Sequence, residues 1–297
     1  MLIGLDMGNA WRLAVGTFTR FPVPAPDRVD RRIAGRAMAM APAVGGVLAC
    51  LTGLPLLGVG VLGAVVGSST ARAFALGLLA AVLSVAATAW ATRGLHLDGM
   101  ADTADGLGGG HTPEQVQRIA RASDIGPFGV VTVVLVLMTQ VASLAALLSI
   151  GMSAGATPSW TGGMFAWVAW IVAAVLARLC ATLACVGGGP LRAARDEGLG
   201  ALVAGSVTPS VAVGWGAIVL GVIAVAGLTS GVGAAVLLVA MLIAAGAGLV
   251  TIAVSARRFG GLTGDVLGAG IEVSATATLV AACFAIAVWQ ALAQQSL

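Results

Sequence analysis

SVAVGWGAIVLGVIAVAGLTSGVGAAVLLVAMLIAAGAGLVTIAV, Ser210 to Val254, holds not one charged residue. A helix needs about 20 apolar residues to cross a bilayer, so the stretch reads as two crossings, 210–229 and 232–254, with a tight turn near Ser230 and Gly231. Five further runs fit the same rule: 42–66, 73–92, 128–150, 164–186 and 273–294. The whole chain is 59% hydrophobic and 9% charged with a mean hydropathy of +1.04, more than a soluble core requires. The sequence thus predicts an all-α, polytopic integral membrane protein with about seven transmembrane helices in one membrane-embedded domain, 1–297. The first run carries Pro42 and Pro55 among several glycines, and is read as broken, re-entrant or two short pieces.

Charge placement orients the chain. With the N-terminus cytoplasmic, seven spans put 1–41, 93–127, 187–209 and 255–272 on one side, together holding all twelve acidic residues and thirteen of the fifteen arginines. Basic residues stay on the cytoplasmic side, so the polar face is predicted to be cytoplasmic, with the active-site segments in 93–127 and 255–272. The opposite connections, near 67–72, 151–163 and 230–231, carry only Arg72. Polarity confined to one surface argues for chemistry there rather than a path through the membrane. The net charge of +3 is mostly juxtamembrane arginine, and no nucleic-acid partner is expected.

The first residues do not read as a cleaved signal, because Asp6 interrupts them and no long apolar stretch leads to a cleavage site. AWRLAVGTFTR, Ala10 to Arg20, reads as an interfacial helix, with Trp11, Leu13, Val15 and Phe18 at headgroup level and FPVP from Phe21 ending it. Cys50, Cys180, Cys185 and Cys283 lie in or beside apolar runs without metal-like pairing, and are expected to be small buried hydrophobes.

The chemistry is sought in HLDGMADTAD, His96 to Asp105. At about 100° per residue a helix puts Asp98, Asp102 and Asp105 within an arc of roughly 60°. Three like charges on one stripe beside apolar sequence call for a neutralising cation, and neither Lys nor Arg occurs from Leu95 to Gln117. An oxygen-only donor set favours magnesium over zinc; the plain alternative is a solvated acidic loop. His96 would point away from the aspartates, as a proton relay or a hydrogen bond at the loop entrance rather than a ligand.

A second constellation, RRFGGLTGDVLGAGIE, spans Arg257 to Glu272. Gly260, Gly261 and Gly264 permit close backbone approach, and Glu272 lies two helical turns beyond Asp265 on the same face. This segment can close a metal site from across a cleft, and an ionisable group entering an apolar span is a functional candidate; alternatively Glu272 marks the membrane boundary and the glycines serve packing. GLGGGH, Gly106 to His111, lacks the Lys-Ser/Thr ending of a P-loop. Thr112, Pro113 and Gln115 read as an N-cap, first-turn proline and capping-box partner of a short helix to about Ala122. Arg118 and Arg121 on it can hold phosphate or face anionic lipid. Arg178, about two turns inside the fourth span, must find a carboxylate, a carbonyl or substrate.

Taken together, TRFPVP at Thr19, GLHLDGMADTADGL at Gly94, IGPFGV at Ile125, RDEGLG at Arg195 and GGLTGDVLGAGIE at Gly260 resemble the cobalamin synthase family, the adenosylcobinamide-GDP ribazoletransferases of bacterial and archaeal cell membranes. The resemblance implies a magnesium-dependent transfer joining adenosylcobinamide-GDP to α-ribazole or its 5′-phosphate, releasing GMP. It places Asp98, Asp102, Asp105, Asp265 and Glu272 around one or two Mg2+ ions. Arg118, Arg121, Arg195, Gly260, Gly261, Thr263 and Gly264 become substrate contacts, and Asp105 and His96 the candidates for general base. It also implies association with other corrinoid-assembly enzymes. The family often runs Asp-Ser-Arg before the Ile-Gly pair, whereas this chain has Ala122-Ser123-Asp124, so Asp124 carries no family role. A CDP-alcohol-type phosphotransferase would need Arg after Asp-Gly-x-x-Ala, where Met100-Ala101-Asp102 stands instead. A secondary transporter would place acids near mid-membrane on several spans, and only Arg178 and Glu272 come near that depth.

Overall fold

A computed structural model describes residues 2–66, 70–153, 160–230 and 232–295. The described residues form twelve helices: α1 (Leu2–Phe18), α2 (Arg31–Thr52), α3 (Leu54–Val66), α4 (Thr70–Ala91), α5 (Leu95–Gly109), α6 (Pro113–Ile119), α7 (Pro127–Ser153), α8 (Trp160–Ala184), α9 (Leu199–Val203), α10 (Pro209–Ser230), α11 (Val232–Phe259) and α12 (Gly264–Gln295). Seven stretches are long and apolar enough to cross a membrane, and they follow the predicted runs in order. The first is indeed two pieces. α2 ends at Thr52 and α3 starts at Leu54, the break falling at Gly53, where a Cβ would meet Trp167 at 2.7 Å, while Pro42 sits inside α2.

Three boundaries differ from the sequence reading. α2 begins at Arg31, capped by Asp30 whose carboxylate accepts the Ile33 N–H, so 31–41 belongs to the first span and not to an interfacial segment. α12 begins at Gly264, so 255–272 is the end of α11, a four-residue turn and the start of α12. α1 starts before Ala10 and packs on α2: Ala14, Val15 and Phe18 are buried and only Trp11 of the four predicted headgroup residues is exposed. Asp6 explains the difference, since it is buried and held by Arg28 and Arg36, and Arg28 keeps its carboxyl below the ordinary range. Of the connections expected near 67–72, 151–163 and 230–231, residues 67–69, 154–159 and 231 lie outside the described residues, and the rest belong to the flanking helices.

α8 and α12 sit at the centre, with α2, α7 and α11 around them. Small residues set the close crossings: a Cβ on Gly163 of α8 would lie 2.7 Å from the Leu56 carbonyl oxygen, and one on Gly248 of α11 2.5 Å from that of Gly270. The outer faces are apolar, with α10 exposing Val213, Ile218, Leu220 and Val222. α1, α5, α6 and α9 gather at the end where α2 and α12 begin. All four cysteines are free; Cys180 and Cys185 are buried, Cys50 and Cys283 partly so.

Candidate active site

Two successive residues in left-handed backbone, Arg93 (φ 57°) and Gly94 (φ 68°), reverse the chain between α4 and α5. Such a conformation strains a non-glycine residue. Arg93 offsets this by donating to the carbonyls of Gly16 (2.9 Å) and Thr17 (3.2 Å) at the end of α1. α5 then runs into the start of α12. A Cβ on Gly99 would lie 2.8 Å from the Asp265 Cα, and one on Gly268 would lie 3.2 Å from the His96 carbonyl oxygen, so the two helices touch backbone to backbone. That contact brings Asp98 and Asp102 of α5 beside Asp265 of α12.

The three carboxylates feel one another. Burial first, then the charges of Asp98, Asp265 and Asp105, push the Asp102 carboxyl up to about 6. Arg195 reaches the same place because its loop pairs with the turn before α12: Leu262 N–H donates to the Arg192 carbonyl (2.7 Å) and Ala194 N–H to the Leu262 carbonyl (3.1 Å). Gly261 (φ 153°) is required there, since a Cβ would fall 2.5 Å from the Ala194 nitrogen. Arg195 thereby acts electrostatically on Asp265. Thr263 is buried and its hydroxyl accepts the Val266 N–H (3.2 Å), so it caps α12 rather than facing outward. Gly260 is exposed, also left-handed (φ 74°), and abuts Pro113 of α6.

Five predicted site residues are placed elsewhere. Asp105 is 8% exposed and both oxygens are engaged, Oδ2 by the Gly126 N–H (2.7 Å) and Oδ1 by the Gly129 N–H (2.9 Å) at the start of α7. It is a helix cap, and a Cβ on Gly126 or Gly129 would collide with it. His96 is buried against Phe18 with Nε2 unpartnered, and desolvation plus the charge of Arg178 holds its pKa down to about 3. Glu272 accepts from Gln140 Nε2 (2.9 Å) in a separate cavity with Arg178. Arg118 is exposed on α6 and Arg121 is exposed two residues beyond its end, donating to Gln117 (2.9 Å). α6 has the predicted cap, Thr112 and Gln115 bonding reciprocally, but stops at Ile119. The capping role of Asp105 was missed; IGPFGV, with glycines three residues apart where a helix begins, carried that signal.

No three His, Cys, Asp or Glu side chains among the described residues are already drawn to metal-binding distance. The donors nonetheless suit a hard cation. Magnesium is held through one or two carboxylates, its remaining positions being left to water and substrate phosphate, and the acids here lie at the open end of the bundle. A groove of roughly 600 Å³ starts at Asp98 and is otherwise walled by Arg93, Gly94, Leu95, Leu97, Ala101, Ile125 and Val133.

The sequence model described as cobalamin-5-phosphate synthase matches residues 10–283. The chain belongs to that family. It is 40% identical over 277 residues to an adenosylcobinamide-GDP ribazoletransferase of Frankia casuarinae, covering 91% of this chain and 92% of that protein. A protein of the same name from Nocardioides sp. is 39% identical over 276 residues, covering 93% and 98%. One from Bradyrhizobium diazoefficiens is 36% identical over 236 residues, covering 77% and 80%. No solved structure matches the chain.

Proposed function

We propose that this protein is a magnesium-dependent transferase of the membrane that joins adenosylcobinamide-GDP to α-ribazole or its 5′-phosphate, giving adenosylcobalamin or its 5′-phosphate and GMP. The observation carrying the reading is the meeting of Asp98 and Asp102 with Asp265 across the Gly99 contact, at the one polar end of a seven-span bundle. Family membership and the names of the relatives supply the substrates.

In the reaction the ribazole hydroxyl oxygen attacks the phosphorus attached to cobinamide. The phosphoanhydride bond breaks, GMP leaves with the bridging oxygen, and the hydroxyl proton is released. Bound magnesium would neutralise charge on the diphosphate. Asp98, Asp102 and Asp265 would hold it, which relieves the mutual repulsion they otherwise suffer. Arg195, beside Asp265, suits a phosphate oxygen, and the exposed Arg118 and Arg121 can meet the nucleotide. Asp105 has both oxygens engaged and His96 is buried against Phe18, so neither reaches the hydroxyl. The arginine distribution supports a cytoplasmic position for this end of the bundle.

The test is to incubate the purified full chain with adenosylcobinamide-GDP, α-ribazole and magnesium and to measure GMP. Release that depends on both substrates and on magnesium is expected. A folded preparation that yields none overturns the reading.

A further inference from the structure

Glu272 and Arg178 face a cavity inside the bundle, away from the three aspartates. Its walls come from six helices, and its polar lining is Arg178, Glu272, Gln140, Thr88 and Thr92. Arg178 is 4% exposed and donates one bond, NH1 to the Ala174 carbonyl at 3.3 Å, while its Nε is buried without a partner. Gly45 makes its place: a Cβ there would collide with the arginine Cδ. Glu272 accepts only from Gln140 among the described side chains, and no direct ion pair joins it to Arg178 within 4 Å among the described residues. A guanidinium and a carboxylate left this unsatisfied in a low dielectric are costly. The space between them, about 40 Å³, has room for about three waters, and is too small for a substrate.

We propose that ordered water bridges Arg178 to Glu272 in this cavity, and that the bridged pair fixes the depth of α12 against α8 and so positions Asp265 beside Asp98 and Asp102. Arg178 lies six residues from the end of its span and Glu272 eight from the start of its own, so at ~1.5 Å per residue both sit at similar depth from the polar end, roughly 9 and 12 Å. Asp265 lies two turns nearer that end on the same helix. Any slip of α12 is therefore felt at the carboxylate site, where α5 and α12 have no slack at Gly99. Glu272 is on this account a positioning residue and not a ligand of the metal.

The inference rests on the proposed transfer for its kinetic readout, and its test separates the two. GMP release is measured at saturating substrates across a magnesium titration for wild type, Arg178→Met, Glu272→Met and the double variant, each normalised to folded protein. Each single variant strands a buried charge, and should lose at least about tenfold in kcat with a raised magnesium half-saturation. The double variant removes both charges, Gln140 keeping its second acceptor Thr276 (3.1 Å). It lacks the bridge but strands no charge, so it should recover part of the loss and be less impaired in both readouts than either single variant. A double variant as impaired as Glu272→Met would make Glu272 a ligand and overturn the proposal, as would single variants with normal kcat per folded molecule. Radiolytic footprinting in 18O-labelled water reads the cavity without any turnover: Trp170 and Leu137, which line it, should take up label in wild type and lose it in the double variant. Wild type without label there overturns the water bridge, whereas wild type without GMP release condemns only the transfer.

Discussion

Two regions of this molecule use acidic residues on the same helix, α12, in opposite ways. At the polar end, Asp265 meets Asp98 and Asp102: three like charges, partly open to solvent, with a groove beside them. Two turns deeper, Glu272 meets Gln140 and the charge of Arg178 in a small cavity between the helices. Like charges brought together by a backbone contact repel one another, and the proposed cation would relieve that repulsion. Opposite charges set around a space of about 40 Å³ call for solvent between them and not for a cation. The contrast teaches that an acid is assigned to metal or to structure by the company its neighbours provide, and not by motif membership. Asp105 makes the same point within α5, since it shares the stripe of Asp98 and Asp102 yet gives both oxygens to α7.

The sharpest way to break the contrast is to neutralise one open acid. Asp102→Asn and Asp265→Asn should each lower GMP release at least about a hundredfold, the scale of losing a preorganised electrostatic partner, with little change in thermal unfolding in detergent. Near-normal rates in both would dissolve the open site. Next in size is Gly99→Ala, which keeps every acid but sets a methyl 2.8 Å from the Asp265 Cα. A shift of about 1 Å can cost on the order of a hundredfold in rate, so a loss of about ten- to a hundredfold is expected in a steady-state assay; an unchanged rate would show that the helix contact does not set the site. Smaller again is Asp105→Ala. It should lower stability by about 1–2 kcal/mol through loss of the α7 cap, with activity per folded molecule largely kept. Abolished turnover in a folded variant would return Asp105 to the catalytic group.

The seven crossings were legible because charge is excluded from them so completely: nothing between Ser210 and Val254 competes with burial in lipid. The spacing of Asp98 and Asp102 was equally plain, as was the partnership with the GGLTGD turn. What failed were boundaries and side-chain destinations. The first apolar run was read from residue 42, with Arg31 and Arg32 in the segment before it, yet Asp30 caps a helix that starts with them. Val15 and Phe18 carry an apolar face that suits a headgroup layer or a protein core equally; the buried Asp6 pairing with Arg28 and Arg36 decided for the core. Helical spacing puts Asp105 and Glu272 on the same face as their neighbours, but the choice of partner is made by α7, which periodicity along one segment does not report.

His96 gives the smallest test and bears on the boundary between the two regions. It belongs to the aspartate segment in sequence, but it is buried and lies within the electrostatic reach of Arg178, on the cavity side. Burial first, then the arginine, lowers its pKa from 6.5 to about 3. The folded state therefore keeps the imidazole neutral while the unfolded chain binds a proton below about 6.5. The stability contributed by the neutral ring is fully present above that pH and is lost as pH falls toward 3. The unfolding temperature in detergent should thus decline from pH 6.5 to pH 5, and His96→Gln, which cannot take up the proton, should flatten part of that slope while lowering the plateau through its poorer fit. An unaltered slope in His96→Gln would mean that the ring is hydrated and protonates like a free histidine, which would move His96 back to the open side with the aspartates.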